Sequence, residues 1–233
     1  MKTKITFKNL LIITNLLLQF NLHAQSSSYN REINQQSQAF DKCKHYADQK
    51  YYELAIDCWE KLVTVDAGRA YYNIGTTYGL LGKDNLAIFY LQKAINIDPD
   101  FRDAYYNIGM TYEYQEKYSE AIRFYKEALT KSNSVGISIA QICFSIANCY
   151  NNIGYYHYLN QNYNQVQENY NQAIIYRHKG ILLEPNDSEE YLKLGRVYWA
   201  VGNTAQAIKY LEIAERLGNN EAKQLLKDII RRP

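Results

Sequence analysis

The sequence predicts an all-α chain of stacked helical hairpins, and three observations carry that expectation. The hexapeptide Ala-Tyr-Tyr-Asn-Ile-Gly stands at residues 70–75 and recurs at 104–109, a shift of 34 residues. In each copy the apolar and small residues fall at i, i+3, i+4 and i+7, which is one face of a helix: Tyr71, Ile74, Gly75 and Tyr78, then Tyr105, Ile108, Gly109 and Tyr112. A second helical stripe follows each copy, Ala87, Leu91 and Ala94, then Ala121, Tyr125 and Ala128. Asp98-Pro99 closes the first of these units, because proline cannot continue a helix.

The elements follow in order. Residues 1–24 read as a secretory signal. Lys2, Lys4 and Lys8 precede a short apolar run over 10–20, and a small residue, Ala24, marks the cut. That run is shorter than the roughly 20 residues a membrane span needs. Residues 25–36, rich in Ser, Gln and Asn, read as a polar linker. Five helical hairpins are then expected at about 37–69, 70–101, 102–135, 136–186 and 187–219, with a capping helix at 220–233.

The first hairpin has Tyr46, Ala55, Trp59 and Asp66, with Cys43 where the glycine belongs. The fourth has Tyr150, Ile153, Gly154, Tyr170 and Ala173, with His157 in place of the later tyrosine. The fifth has Tyr191, Leu194, Gly195, Tyr198, Ala207, Leu211 and Ala214. The last helix offers Ala222, Leu225, Leu226, Ile229 and Ile230 beneath a charged face and would shield the final hairpin from water.

These letters resemble the tetratricopeptide repeat (TPR), a 34-residue helix–turn–helix unit. The resemblance implies a right-handed superhelical solenoid. It also implies that the small residue lets the two helices of a hairpin approach closely.

The glycine position departs from the 34-residue period twice. Gly109 to Gly154 is 45 residues, 11 too many, and Gly154 to Gly195 is 41, 7 too many. At about 100° per residue both excesses bring a helix back to within about 20° of its starting face. The fourth hairpin is therefore expected to have both helices lengthened, over 137–158 and 163–184, and to project past its neighbours. Ile137, Ile139, Ile142 and Phe144 either form a docking or self-association surface on that projection or cover the loop of the third repeat.

Function is expected in the groove lined by the first helix of each unit. The family's inner surface maps onto Tyr72, Asn73 and Thr76; Tyr106, Asn107 and Met110; Asn151, Asn152 and Tyr155; and Leu192, Lys193 and Arg196, with Tyr114, Tyr158 and Trp199 further along. An asparagine amide can donate and accept at once, which suits the backbone of an extended peptide. The basic clamp by which some members hold a terminal carboxylate is incomplete. Phe40, Asp103 and Asn107 stand where it needs cations.

Other chemistry is excluded by composition. The leader takes three lysines, leaving 23 basic residues against 24 acidic ones, so nothing marks a nucleic-acid or anionic-membrane binder. No metal-ligand spacing, phosphate loop or nucleophile elbow is found, and neither catalysis nor a cofactor is expected.

Cys143 and Cys149 are six apart on one helix and cannot bond each other. Cys43 and Cys58 face each other across the first hairpin, where a bridge can form. With Cys58 one residue off the packing stripe, buried free thiols are the expectation. The sequence thus points to a periplasmic or secreted scaffold or adaptor that binds a protein or peptide and could self-associate through its projecting hairpin. A small-molecule or glycan receptor and an extracytoplasmic sensor subunit are the alternatives.

Overall fold

The computed structural model describes residues 26, 30, 31 and 33–231. The predicted leader lies outside the described residues. Among those described, the chain is helical apart from turns and one isolated bridge between Phe101 and Asn133. Helix α1 covers 33–48. It is followed by α2 (Tyr52–Lys61), α3 (Ala67–Leu80), α4 (Asp84–Ile97), α5 (Arg102–Tyr114) and α6 (Tyr118–Leu129). The second half contains α7 (Ile139–Leu159), α8 (Tyr163–Leu183), α9 (Ser188–Ala200), α10 (Thr204–Arg216) and α11 (Asn220–Ile230). The polar linker is thus shorter than expected, since residues 33–36 are already helix. Extending a helix whose other half is anchored by buried Phe40 and Cys43 adds hydrogen bonds without a new nucleation cost.

The helices pair as five hairpins with a common turn. In each, a residue seven positions after the small-residue site adopts positive φ: Lys50, Gly82, Glu116, Gln161 and Gly202. The next residue's N–H then reaches back five residues, from Tyr51 to Tyr46, Lys83 to Tyr78, Lys117 to Tyr112, Asn162 to His157 and Asn203 to Tyr198, each at 2.9 Å. That is the left-handed helix stop that satisfies the last carbonyls. Asp66, Ser138, Asp187, Asn203 and Asn219 cap the following helices with side-chain oxygens on backbone N–H groups.

The small residues earn their place by contact. A Cβ on Gly75, Gly109, Gly154 or Gly195 would stand 2.6–2.8 Å from the side chain 16 residues on, Leu91, Tyr125, Tyr170 and Leu211 respectively. In the first hairpin the site is filled by chemistry instead of space, because Cys43 is bonded to Cys58. The expectation of four free thiols is corrected there. The position of Cys58 corresponds to Tyr90, Phe124 and Tyr210, which all lie against the partner helix and stack on Tyr78, Tyr112 and Tyr198. One residue off the stripe is therefore still an inter-helix position. Cys143 and Cys149 are buried free thiols.

The core is a series of clusters, each shared by one hairpin and the first helix of the next. Phe40, Ile56 and Trp59 pack with Ile74. Leu91 and Ile95 pack with Phe101 and Ile108. Tyr125 packs with Ile142 and Ile146. At the end, Leu192 and Leu211 are covered by Ala222, Leu226 and Ile229 of α11.

The fourth hairpin is lengthened as the phase argument required. α7 and α8 have 21 residues each, against 10–14 for the others from α2 onward. The added turns pack on each other, with Phe144 seated where a Cβ on Gly180 would lie 2.2 Å away. Ile142 and Phe144 are interior, and Ile137 and Ile139 are half-buried. These side chains cover the third repeat and the paired helix, so they form no exposed docking tip.

Candidate binding groove

The first helices α3, α5, α7 and α9 share one face, and three hollows run together along it. The first, about 410 Å³, lies between α3 and α5 and is mainly apolar, with Gly79, Leu80, Met110 and Tyr114 in its wall. The second, about 460 Å³, shares Met110 and Tyr114 with the first and adds Tyr118 and Asn152. The third, about 480 Å³, shares Asn152 and Glu113 with the second and is polar, bounded by Asn148, Asn151, Arg177, Lys193 and Arg196. The shared residues make these hollows one trough.

Local structure fixes its floor. Thr76, Thr77 and Thr111 donate their hydroxyls to the carbonyl four residues back, at 2.7–2.9 Å, so each is held against its own helix. Asn107 Nδ2 donates to Thr76 Oγ1 at 3.0 Å, tying α5 to α3. The Tyr72 hydroxyl joins both, and burial, reinforced by the Asp103 carboxylate, pushes its pKa up. Asp103 itself is 1% exposed and accepts from Val135 N and Ile137 N at 3.1 and 3.2 Å. Arg102 meanwhile donates to the Lys131 and Ile137 carbonyls. This pair straps the α6–α7 loop down, so the carboxylate standing at an expected clamp position is used for architecture.

The mapped residues separate into two groups. Thr76, Asn107, Met110, Tyr114, Asn151, Asn152, Lys193 and Arg196 line the trough. Tyr114 is 79% exposed.

Tyr106 also borders the middle hollow but is 5% exposed. Its ring packs on Tyr125, and its hydroxyl lies 3.2 Å from both Ser145 Oγ and Gln141 Nε2. Leu192 is fully buried beneath α11, and Tyr72 packs on Phe101 with centroids 4.8 Å apart. Leu192, expected on the open face, is thus corrected to an interior position, whereas Tyr106 lines the middle hollow as expected but with most of its ring buried. In the fifth hairpin the residue after the leading aromatic is turned about 100° further round the helix, toward α11. The leading aromatics Tyr71 and Tyr105 are half-buried.

Asn73 is half-buried, with its carbonyl taken by Thr77. Tyr155 and Tyr158 are 55% and 54% exposed near the end of α7, and Trp199 packs toward the α9–α11 cluster. None of these four borders the three hollows described.

Two residues of the trough carry no repeat letter. Glu113, half-buried on α5, accepts from the Tyr125 hydroxyl at 2.5 Å. Burial holds its carboxyl above the usual carboxylate range, while the Tyr125 and Cys149 hydrogen bonds pull the other way. Arg177 comes from the second helix of the lengthened hairpin and is 1% exposed. It pairs through Nη1 with Glu190 and donates through Nη2 to Asn148 Oδ1 at 2.9 Å. A charged residue at a buried position in an otherwise apolar stripe was the signal that could have found it. No group of three His, Cys, Asp or Glu residues able to hold a metal exists among the described residues.

Comparison with known proteins agrees with this architecture. Residues 68–101 and 103–132 match a family model described as the tetratricopeptide repeat, and residues 191–217 match a second of the same description. A crystal structure of MamA aligns with a TM-score of 0.62 at 21% identity, covering 78% of this chain and 96% of that one. MamA from Desulfovibrio magneticus RS-1 gives 0.61 at 13% identity, covering 79% and 96%. YrrB, described as a TPR protein with an unusual peptide-binding site, gives 0.60 at 16% identity, covering 81% and 90%. Three hairpins are matched by the family's own pattern and two more are built on the same turn, so the chain carries tetratricopeptide repeats at 68–101, 103–132 and 191–217 and is similar to that family over the rest of its helical hairpins.

Proposed function

We propose that this TPR scaffold is a non-catalytic adaptor of the cell envelope, or of the space outside the cell, that holds an extended protein segment in its trough. The observation that carries the proposal is the continuity of the three hollows, which offers an apolar bed at one end and amides and charges at the other. Such a surface suits a peptide, whose side chains fill hollows while its backbone meets asparagine amides. The peptide-binding site named for YrrB supports the assignment by analogy of fold.

Export is supported by the basic and apolar leader and by the Cys43–Cys58 bond, which persists in oxidising compartments. No described helix is long and apolar enough to cross a membrane.

The test is binding of the purified protein to a peptide library and, in parallel, to a glycan array. Peptide binding weakened by Met110→Ala and Asn107→Ala is the expected outcome. Glycan binding sensitive to the same changes, with no peptide bound, overturns it in favour of a receptor. Mass analysis of the protein recovered from its native host should place the mature N-terminus at Gln25; an intact leader would contradict export by cleavage.

A further inference from the structure

We propose that the outward face of the second helices α4, α6 and α8 docks on an anionic lipid bilayer, along which the molecule lies without crossing it. The inference goes beyond the adaptor assignment and does not depend on what the trough holds.

Two of these helices are apolar on both sides. On α4, Ala87, Leu91 and Ala94 are buried in the hairpin, yet Leu86, Phe89 and Ile97 are exposed, the last two at 52% each. On α8, Ala173 and Ile181 are buried, while Ile175, Leu182 and Leu183 are exposed, Leu182 at 82%. The exposed positions of α10, by contrast, hold Lys209, Glu212 and Arg216. A helix apolar all round calls for a cover on both sides, and here the hairpin covers only one. None of the six exposed side chains borders the three hollows of the trough.

Charge complementarity identifies the cover. Each apolar group surrounds one lysine. Lys93 lies 4.6 Å from the centre of the Phe89 ring and one turn before Ile97. Lys179 follows Ile175 by one turn and precedes Leu182 and Leu183 by another. Neither ammonium pairs with a carboxylate among the described residues. Residues 85–97 and 169–183 contain no acid. Of the acids at their ends, Asp84 accepts from Gln115, Asp98 from Asn133 and Glu184 from Ser138. Glu168 stands about 10 Å along the axis from Ile175.

Between the two groups, α6 turns out Arg123 and Lys126, which lie over the rings of Phe124 and of Tyr150 and Tyr176. Its Glu127 pairs with Lys131. Glu120, and Glu60 beside Tyr90, are the acids left at the margin. Cations therefore exceed acids on this face, a local excess that the near-neutral total conceals. A protein partner would have to supply a matched carboxylate at the centre of each apolar group, at two places with a helix between them. An anionic bilayer offers both chemistries at every point. Apolar side chains enter the acyl boundary while the lysine stems carry their charge to the headgroup phosphates.

The experiment reads the face locally, because the leader is itself basic and apolar. A polarity-sensitive dye is attached to Phe89→Cys, Leu182→Cys or, as a control on α11, Gln224→Cys in the purified full-length protein. All three positions are exposed. The native cysteines do not compete, since Cys43 is bonded to Cys58 and Cys143 and Cys149 are buried. With vesicles of phosphatidylcholine and phosphatidylglycerol in equal parts, emission at 89 and 182 should shift to the blue and brighten several-fold. Emission at 224 should stay constant, and phosphatidylcholine vesicles should change none of the three. Lys93→Gln combined with Lys179→Gln should raise the lipid needed for half the change by about ten-fold or more at low salt.

Silence at 89 and 182 with the anionic vesicles overturns the proposal, even where the protein sediments with them. Equal response at all three positions overturns the assignment to this face, and equal response to neutral vesicles overturns the assignment to anionic lipid. A blue shift without vesicles that vanishes on dilution identifies a second copy as the cover and overturns the bilayer.

Discussion

At the scale of single residues, two helical glycines separate packing from propensity. Gly109 faces the Tyr125 ring, where an added Cβ would lie 2.7 Å from Cδ1, whereas Gly79 has nothing nearer than Ala87 Cβ at 3.9 Å. Gly109→Leu should cost about 1–3 kcal/mol by overpacking. Gly79→Ala should instead gain about 0.5–1 kcal/mol from reduced backbone entropy. Chemical denaturation of the two variants reads both signs, and equal shifts would contradict the observed register. Glu113 gives a second residue-scale test. A carboxyl that protonates more readily folded than unfolded stabilises the fold below its ordinary value of 4.5 and loses that contribution as pH rises through the folded value. Glu113→Gln is neutral at every pH and keeps an acceptor for Tyr125. Its melting temperature should climb relative to wild type as pH rises above 4.5; a difference independent of pH would show that burial does not disfavour the carboxylate.

At the scale of elements, the hairpin turn sets the pattern. All five turns need a left-handed residue, and only Gly82 and Gly202 supply glycine for it. Gly202→Ala should cost about 1 kcal/mol, and Glu116→Gly should gain up to about the same, since the penalty for a side chain at positive φ is roughly 1–2 kcal/mol. Thermal melts check the pair. This geometry explains what could be read beforehand. The packing stripes and the lengthened fourth hairpin were legible because both depend only on phase along one helix, which the letters record. The interior placement of Leu192 and the burial of the Tyr106 ring were not, because a helical wheel shows which residues share a side but not which neighbour covers it. Cys58 became legible only by alignment with Tyr90, Phe124 and Tyr210, whose contacts identify an inter-helix position. Arg177 escaped because it answers Glu190, 13 residues on, by geometry that no repeat pattern encodes.

At the scale of the whole molecule, each hairpin leans only on its neighbours, so the ends decide stability. Truncation after residue 219 would uncover Leu192, Leu211 and Ala214, which α11 now shields. The expected result is a lower melting temperature and a tendency to associate. The other end is covalently closed across a separation of 15 residues. Reduction should lower stability by about 3 kcal/mol. Alkylation of the denatured, unreduced protein should label Cys143 and Cys149 alone. A clasp at one terminus and an unclasped helix at the other give the array a direction in which it comes apart. Warmed or pulled, it should fray from α11 inward like a rope whipped at one end only, and pulsed deuterium labelling would find the amides near Ile229 exchanging before those near Trp59.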